Sequence, residues 1–189
     1  MKNDEGKPVR KPVEIRLEKL EAEDFPKVRP WMDPRIFRIF QAPVDDNQLA
    51  RLLTDYKDGK PVSLGYRIVR VSDDRIVGLI HAIIDWNNRL AHIGQIVVGD
   101  PAHRGLGIGQ RSLTQLLGVC FDELHLHRAQ LFVDEDNAEA VVCYKKVGFQ
   151  IEGLMREAAR VGNRFISWYS MSILKDEWQK PRDGRVDLP

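Results

Sequence analysis

The chain has 189 residues, 43% hydrophobic and 30% charged, which suits one globular domain with a sizeable core and would cramp two. Its formal net charge of +1, with Lys and Arg scattered rather than clustered, argues against a nucleic-acid partner. The charged stretch from Met1 to Pro12 is no signal peptide, and nothing approaches the roughly twenty apolar residues of a spanning helix.

In chain order, Val13 to Leu20 alternates apolar and charged residues as a half-buried strand does, with Val13, Ile15, Leu17 and Leu20 inward. Asp24 stands where it could cap a short helix ending near Asp33 and Pro34. A second helix is expected from Asp45 to Tyr56, since Leu49, Leu52 and Leu53 recur at helical spacing behind Asp45 and Asp46. Three strands then follow in meander order, 64–71, 75–85 and 90–98, joined by turns at Ser72-Asp73-Asp74 and Asn87-Asn88. From Gly107 to about Glu123 a helix carries Leu113, Leu116, Leu117 and Cys120 on one face. A strand over 129–133, a helix over 138–147 and a hairpin turning at Val161-Gly162-Asn163 lead into a last strand over 165–174. One domain over 13–174 is expected, with flexible tails at 1–12 and 175–189.

The densest chemical signal is Arg104-Gly105-Leu106-Gly107-Ile108-Gly109, placed after an apolar strand and at the start of a helix. Glycines admit close backbone approach, and the first N–H groups of a helix have no intrahelical partner, so the layout suits a phosphate. A P-loop would need Lys and Ser or Thr after the last glycine, where Gln110 and Arg111 stand. The dinucleotide fingerprint fails as well, because Gln110 occupies the place of its third glycine. A bare strand-to-helix turn is the remaining plain alternative.

The spacing Arg-x-x-Gly-x-Gly, followed by Asn137, Tyr144 and the pair Gly148-Phe149, resembles the GNAT superfamily of N-acetyltransferases, in particular the RimJ/RimL and polyamine-acetyltransferase kind. The resemblance runs from about Val13 to Leu174. It implies an α/β fold with a single twisted mixed sheet of about seven strands flanked by about four helices. It also implies that the strands 90–98 and 129–133 lie side by side and splay apart to admit the pantetheine arm of acetyl-CoA.

On that resemblance, the backbone of Ile96, Val97 and Val98 would meet the pantetheine amides, and Arg104, Gly105, Leu106, Gly107, Ile108 and Gly109 would hold the pyrophosphate. Asn137 would contact pantetheine or substrate, although it also reads simply as a helix cap. Tyr144 would be the general acid for the departing thiolate, its phenol staying protonated at neutral pH; a packing role is the alternative. Gly148 and Phe149 read as a helix cap and a core residue.

The general base is less evident. On the strand before the loop the available residues are His92 and Gln95, and His92 has the suitable chemistry; His81 and Asp85 are weaker candidates, and water is the fallback. Cys120 and Cys143 read as buried hydrophobes rather than nucleophiles, with no disulfide framework and no acyl-enzyme. His125 and His127 offer too few ligands for a metal site, so no metal is expected.

On the same resemblance the acceptor would be a primary amine, on a small molecule, a protein or a peptide. Trp31, Arg35, Phe37, Arg38, Trp86, Asn163 and Arg164 would frame its groove. Arg35 and Arg38 would favour an acceptor carrying a carboxylate or phosphate, whereas a polyamine would need carboxylates, for which Asp45, Asp46 and Asp85 are the available group. Other readings are a spermidine/spermine-type enzyme and a non-catalytic acyl-CoA-binding module. The cytoplasm is the expected compartment, and a homodimer is left open.

Overall fold

The alternating segments become strands whose two faces meet different partners. The computed structural model describes residues 13–32, 45–99 and 101–180. Among them are β1 (Ile15–Lys19), β2 (Asp55–Lys57), β3 (Lys60–Arg70), β4 (Arg75–Asp85), β5 (Leu90–Val98), β6 (Arg128–Asp134), β7 (Gln150–Val161) and β8 (Arg164–Leu174). The helices are α1 (Phe25–Val28), α2 (Asp46–Ala50), α3 (Ile108–Gly118), α4 (Ala138–Val147) and α5 (Lys175–Gln179). One mixed sheet runs β1-β3-β4-β5-β6-β8-β7, with β2 paired to β3. Among the described residues, only the β5–β6 pair is parallel.

One sheet face presents Leu64, Ile68, Ile80, Ala82, Ile84, Ala91 and Ile93 to Leu113, Leu116, Leu117 and Cys120, the helical face read from the sequence. On the other face Leu79 and Val97 pack with Leu20, Phe25, Val28, Met32, Leu49 and Leu52. Burial on both sides explains why the middle of β4 reads as an almost unbroken apolar run. Arg67 ties the second layer down: it donates to Asp24 at 2.9 and 3.1 Å and to Glu18 at 2.8 and 3.0 Å.

Three expectations are corrected. Asp24 makes no capping bond to α1; its carboxylate is taken by Arg67 and by the Glu21 amide at 3.1 Å. The second helix is shorter than expected and stops at Ala50. Asp45 caps it by accepting from the Gln48 amide, but Asp58 and Gly59 adopt left-handed φ values of 52° and 74° and fold 55–57 back on β3 as a hairpin. The helix end lies directly on Gly65, where a Cβ would come within 1.6 Å of the Leu52 carbonyl oxygen.

The helix after Gly107 does run to Glu123, changing from α to a wider π turn over Val119–Glu123 with Phe121 still fully buried. The third correction concerns the segment read as a tail: its first residues form α5 and return Trp178 to the core. The Trp178 ring lies 5.9 Å from that of Phe121, and its indole N–H donates to Asp122.

Candidate active site

The central strands separate where the resemblance requires it. β5 pairs with β6 only at Leu90↔Arg128, Ala91↔Ala129 and His92↔Gln130, and pairing ends there although both strands continue. β6 turns its other edge to β8 along its whole length, while β5 keeps β4 through Gly78↔Val98. The edge of Ile93 to Val98 that faces β6 therefore has no strand to bond, and polar backbone groups there require partners. Ile96, Val97 and Val98 all belong to the stretch with that open edge.

A bulge marks the start of the opening. Ala82 pairs with Ile93 and Ile80 with Ile96, so His81 alone faces both Gly94 and Gln95. The sequence carried one sign of it, a glycine inside a strand. A Cβ on Gly94 would sit 3.1 Å from His81 Nδ1.

Just past β5, the loop from Arg104 to Gly109 leads into α3. Gly105 and Gly107 have φ values of 72° and 76°, and Gly107 is the N-cap residue with no side-chain cap on the helix. A Cβ at either position would meet nothing within 4 Å, so backbone conformation rather than crowding within the protein selects glycine. The uncapped amides of the first turn and the helix dipole would suit an anion. Arg104 is exposed and forms no ion pair among the described residues. Leu106 packs on the main core and Ile108 is buried within it, anchoring the loop. Gly109 differs: a Cβ there would make only an ordinary contact of 3.9 Å with Cys143 Sγ on α4.

α4 begins at Asn137, whose side-chain oxygen accepts from the Ala140 amide at 3.1 Å. The cap role is thus filled by the oxygen, which leaves the amide N–H groups for other use. Gly148 ends the helix at φ 110°, accepting the left-handed turn expected of it, and Phe149 is buried. Tyr144 packs on the core with its ring 6.2 Å from that of Phe149. Burial, with a smaller effect of Cys143, pushes the phenol above its ordinary pKa of 10. A phenol so held could offer a departing thiolate a hydrogen bond.

The candidate bases fare differently. His92 Nδ1 lies 2.8 Å from Gln130 Nε2, while Gln130 Oε1 accepts from the Arg128 guanidinium at 3.3 Å. Arg128 thereby fixes the carboxamide, whose N–H donates to Nδ1 and leaves the proton of neutral His92 on Nε2. This bonding opposes a base role for His92. Asp85 closes the β4–β5 turn by accepting from Asn87 and Asn88, which hold its pKa below the usual value. His81 is buried, and desolvation lowers its pKa to about 4. Gln130 escaped notice in the sequence because its relation to His92 exists only across two strands far apart in the chain.

Around the acceptor side, Trp31 covers Gly99 so closely that a Cβ there would meet its ring at 2.1 Å. The Trp86 indole N–H donates to the Pro61 carbonyl at 2.7 Å and the ring lies under Lys60. Arg35, Phe37 and Arg38 lie outside the described residues. The acidic group considered for a polyamine is engaged locally: Asp45 in its cap, Asp46 with Arg29, Asp85 in its turn. Burial raises the pKa of Cys120 to about 12 and that of Cys143 as well, so both remain thiols rather than nucleophilic thiolates. His125 and His127 flank the turn into β6, and no group of three metal-ligating side chains occurs among the described residues. No helix there is long and apolar enough to cross a membrane.

Known proteins share this arrangement. The acetyltransferase (GNAT) family model matches residues 15–149. The uncharacterized N-acetyltransferase p20 of Bacillus licheniformis is 27% identical, over 87% of this chain and 94% of its own. A spermidine N(1)-acetyltransferase of Vibrio cholerae is 30% identical over 59% of this chain and 64% of its own. The crystal structure of spermidine N-acetyltransferase from Vibrio cholerae in complex with CoA and spermine superposes with a TM-score of 0.74 at 25% identity, covering 88% of this chain and 98% of that one. A match running from the first strand to the end of the helix that carries Tyr144, on a sheet opened between β5 and β6, means that the chain belongs to the GNAT family of acetyl-CoA-dependent N-acetyltransferases.

Proposed function

We propose that the protein transfers the acetyl group of acetyl-CoA directly to a primary amine, with both substrates bound together. The observation that carries this is the end of β5–β6 pairing at His92, beside a loop that opens a helix with uncapped amides. The donor supplies an activated thioester. The free edge of Ile96 to Val98 offers backbone N–H and C=O groups to the two pantetheine amides, and the amides of Gly105 to Gly109, with Arg104, hold the pyrophosphate. Asn137 turns its amide N–H groups to the pantetheine side.

The amine nitrogen attacks the thioester carbon, the C–S electron pair leaves with sulfur, and Tyr144 donates a hydrogen bond to that sulfur. The proton leaving nitrogen passes to water, since His92 and Asp85 are committed to other bonds. Both cysteines stay protonated, Cys120 in the core and Cys143 part-buried, which supports direct attack. One domain over 13–174, with α5 packed onto it, and a cytoplasmic location complete the reading.

The similarity to spermidine acetyltransferases favours polyamines as a second acceptor class, while the engaged carboxylates Asp45, Asp46 and Asp85 favour other amines. Calorimetric titration with acetyl-CoA, then thiol release with polyamines, amino acids and peptides, tests both. Binding and turnover on one class support the reading and name the acceptor. Absence of acetyl-CoA binding overturns it.

A further inference from the structure

The bulge opposite His81 carries a polar chain with a defined direction. Ser63 Oγ lies 2.8 Å from the Leu53 carbonyl, which can only accept, so the hydroxyl hydrogen goes there. The same Oγ lies 2.9 Å from His81 Nε2 and must accept from it. Burial keeps the imidazole neutral above about pH 4. The proton is therefore on Nε2, and Nδ1, turned toward Gly94, presents a lone pair.

Among the described residues, His81 Nδ1 and Gln95 Oε1 are both buried without a hydrogen-bond partner, and the Gln95 side chain is near enough to act on the imidazole. Two acceptors left together in the interior are unfavourable. The oxygen and nitrogen of a carboxamide have nearly the same shape, and their assignment follows the bonding network. A half-turn of the Gln95 amide gives its N–H to Nδ1 and sends its oxygen to the other, accessible side of this part-buried residue. Gln95 itself lies in the stretch of β5 beyond His92, where β5 has left β6.

Resting on the acetyl-transfer reading above, we propose that Gln95 binds the acceptor amine through its carboxamide oxygen, and that His81 and Ser63 are positioning residues that set this orientation. The oxygen accepts an N–H of the amine without removing its proton. It aims the nitrogen lone pair at the thioester carbon: the N–C bond forms, the C–S pair leaves with sulfur, the proton goes to water, and Gln95 ends unchanged. The chain Leu53–Ser63–His81–Gln95 thus selects a donor-rich head group, a primary amine, at this point.

The test compares Ser63→Ala, Ser63→Thr and Gln95→Leu with the parent protein on the amine it acetylates. Losing one hydrogen bond to the acceptor raises its KM about tenfold. The proposal expects that rise in Ser63→Ala and Gln95→Leu, acetyl-CoA affinity within about twofold of the parent, and recovery in Ser63→Thr. Nitrogen-15 spectra of labelled histidine should show His81 protonated at Nε2 alone. Unchanged acceptor KM in folded Gln95→Leu, a parallel loss of acetyl-CoA affinity, or a proton on Nδ1 overturns the proposal. A parent protein that binds acetyl-CoA and acetylates no amine overturns the acetyl-transfer reading instead.

Discussion

His92 and Gln130 face each other on the last rung joining β5 to β6, their side chains 2.8 Å apart. Because Arg128 fixes the Gln130 amide, His92 serves as a brace at the point where the strands part. His92→Asn should leave the shape of the kcat/KM profile between pH 5.5 and 9 unchanged. Loss of an acidic limb in that profile would restore His92 as the base.

Tyr144→Phe removes only the hydroxyl from a side chain that also packs on Phe149. Turnover should fall about ten- to a hundredfold, the range for losing one hydrogen bond to a charged group, while acetyl-CoA affinity stays within about twofold. Equal losses in both would assign Tyr144 to packing.

Gly107 and Gly109 separate two reasons for glycine. At φ 76°, Gly107→Ala places a side chain in a left-handed conformation at a cost of about 1 to 2 kcal/mol. It also sets a methyl group where the anion would approach, so acetyl-CoA affinity should drop by about tenfold or more. Gly109→Ala meets only Cys143 Sγ at 3.9 Å and should keep its melting temperature. Calorimetry and thermal melts on the pair decide the matter.

His81 makes stability depend on pH. The unfolded chain takes up this proton near pH 6.5, whereas the folded protein refuses it until about pH 4. The contribution is therefore complete above pH 6.5 and is lost as the pH falls toward 4, amounting to roughly 3 kcal/mol over the whole interval. Urea midpoints at pH 7 and pH 5 should differ, and His81→Leu should narrow the difference. Glu18 and Asp73, whose pKa values are lowered by Arg partners, add their loss below about pH 4.5.

Trp178→Ala should destabilise the protein by about 3 to 5 kcal/mol, as expected for a large aromatic removed from a core. A chain ending at Leu174 should lose as much. Neither change touches the open edge of β5, so acetyl-CoA affinity of the folded fraction should persist.

Apolar runs and turn residues made the sheet legible: β4 and β5 begin and end where these do. The glycine loop was legible because its requirement is local, a left-handed φ at Gly105 and Gly107. β2 was hidden because Leu52 and Leu53 continue the helical spacing, while the Asp58-Gly59 turn overrides it. α5 was hidden because Lys175, Asp176 and Glu177 are polar, and only Trp178 reports the packing. The links from His92 to Gln130 and from His81 to Ser63 join residues distant in sequence, and no spacing rule contains them.

The early end of the β5–β6 ladder divides the amides of one strand into two populations. From Ile93 to Val98, those turned toward β4 are locked in a ladder, while those turned toward β6 have no strand to hold them. Deuterium should enter the positions turned toward β6 quickly and those turned toward β4 slowly. A donor molecule lying in the gap would act as a ninth strand, and its arrival would be recorded as slowed exchange along that single edge.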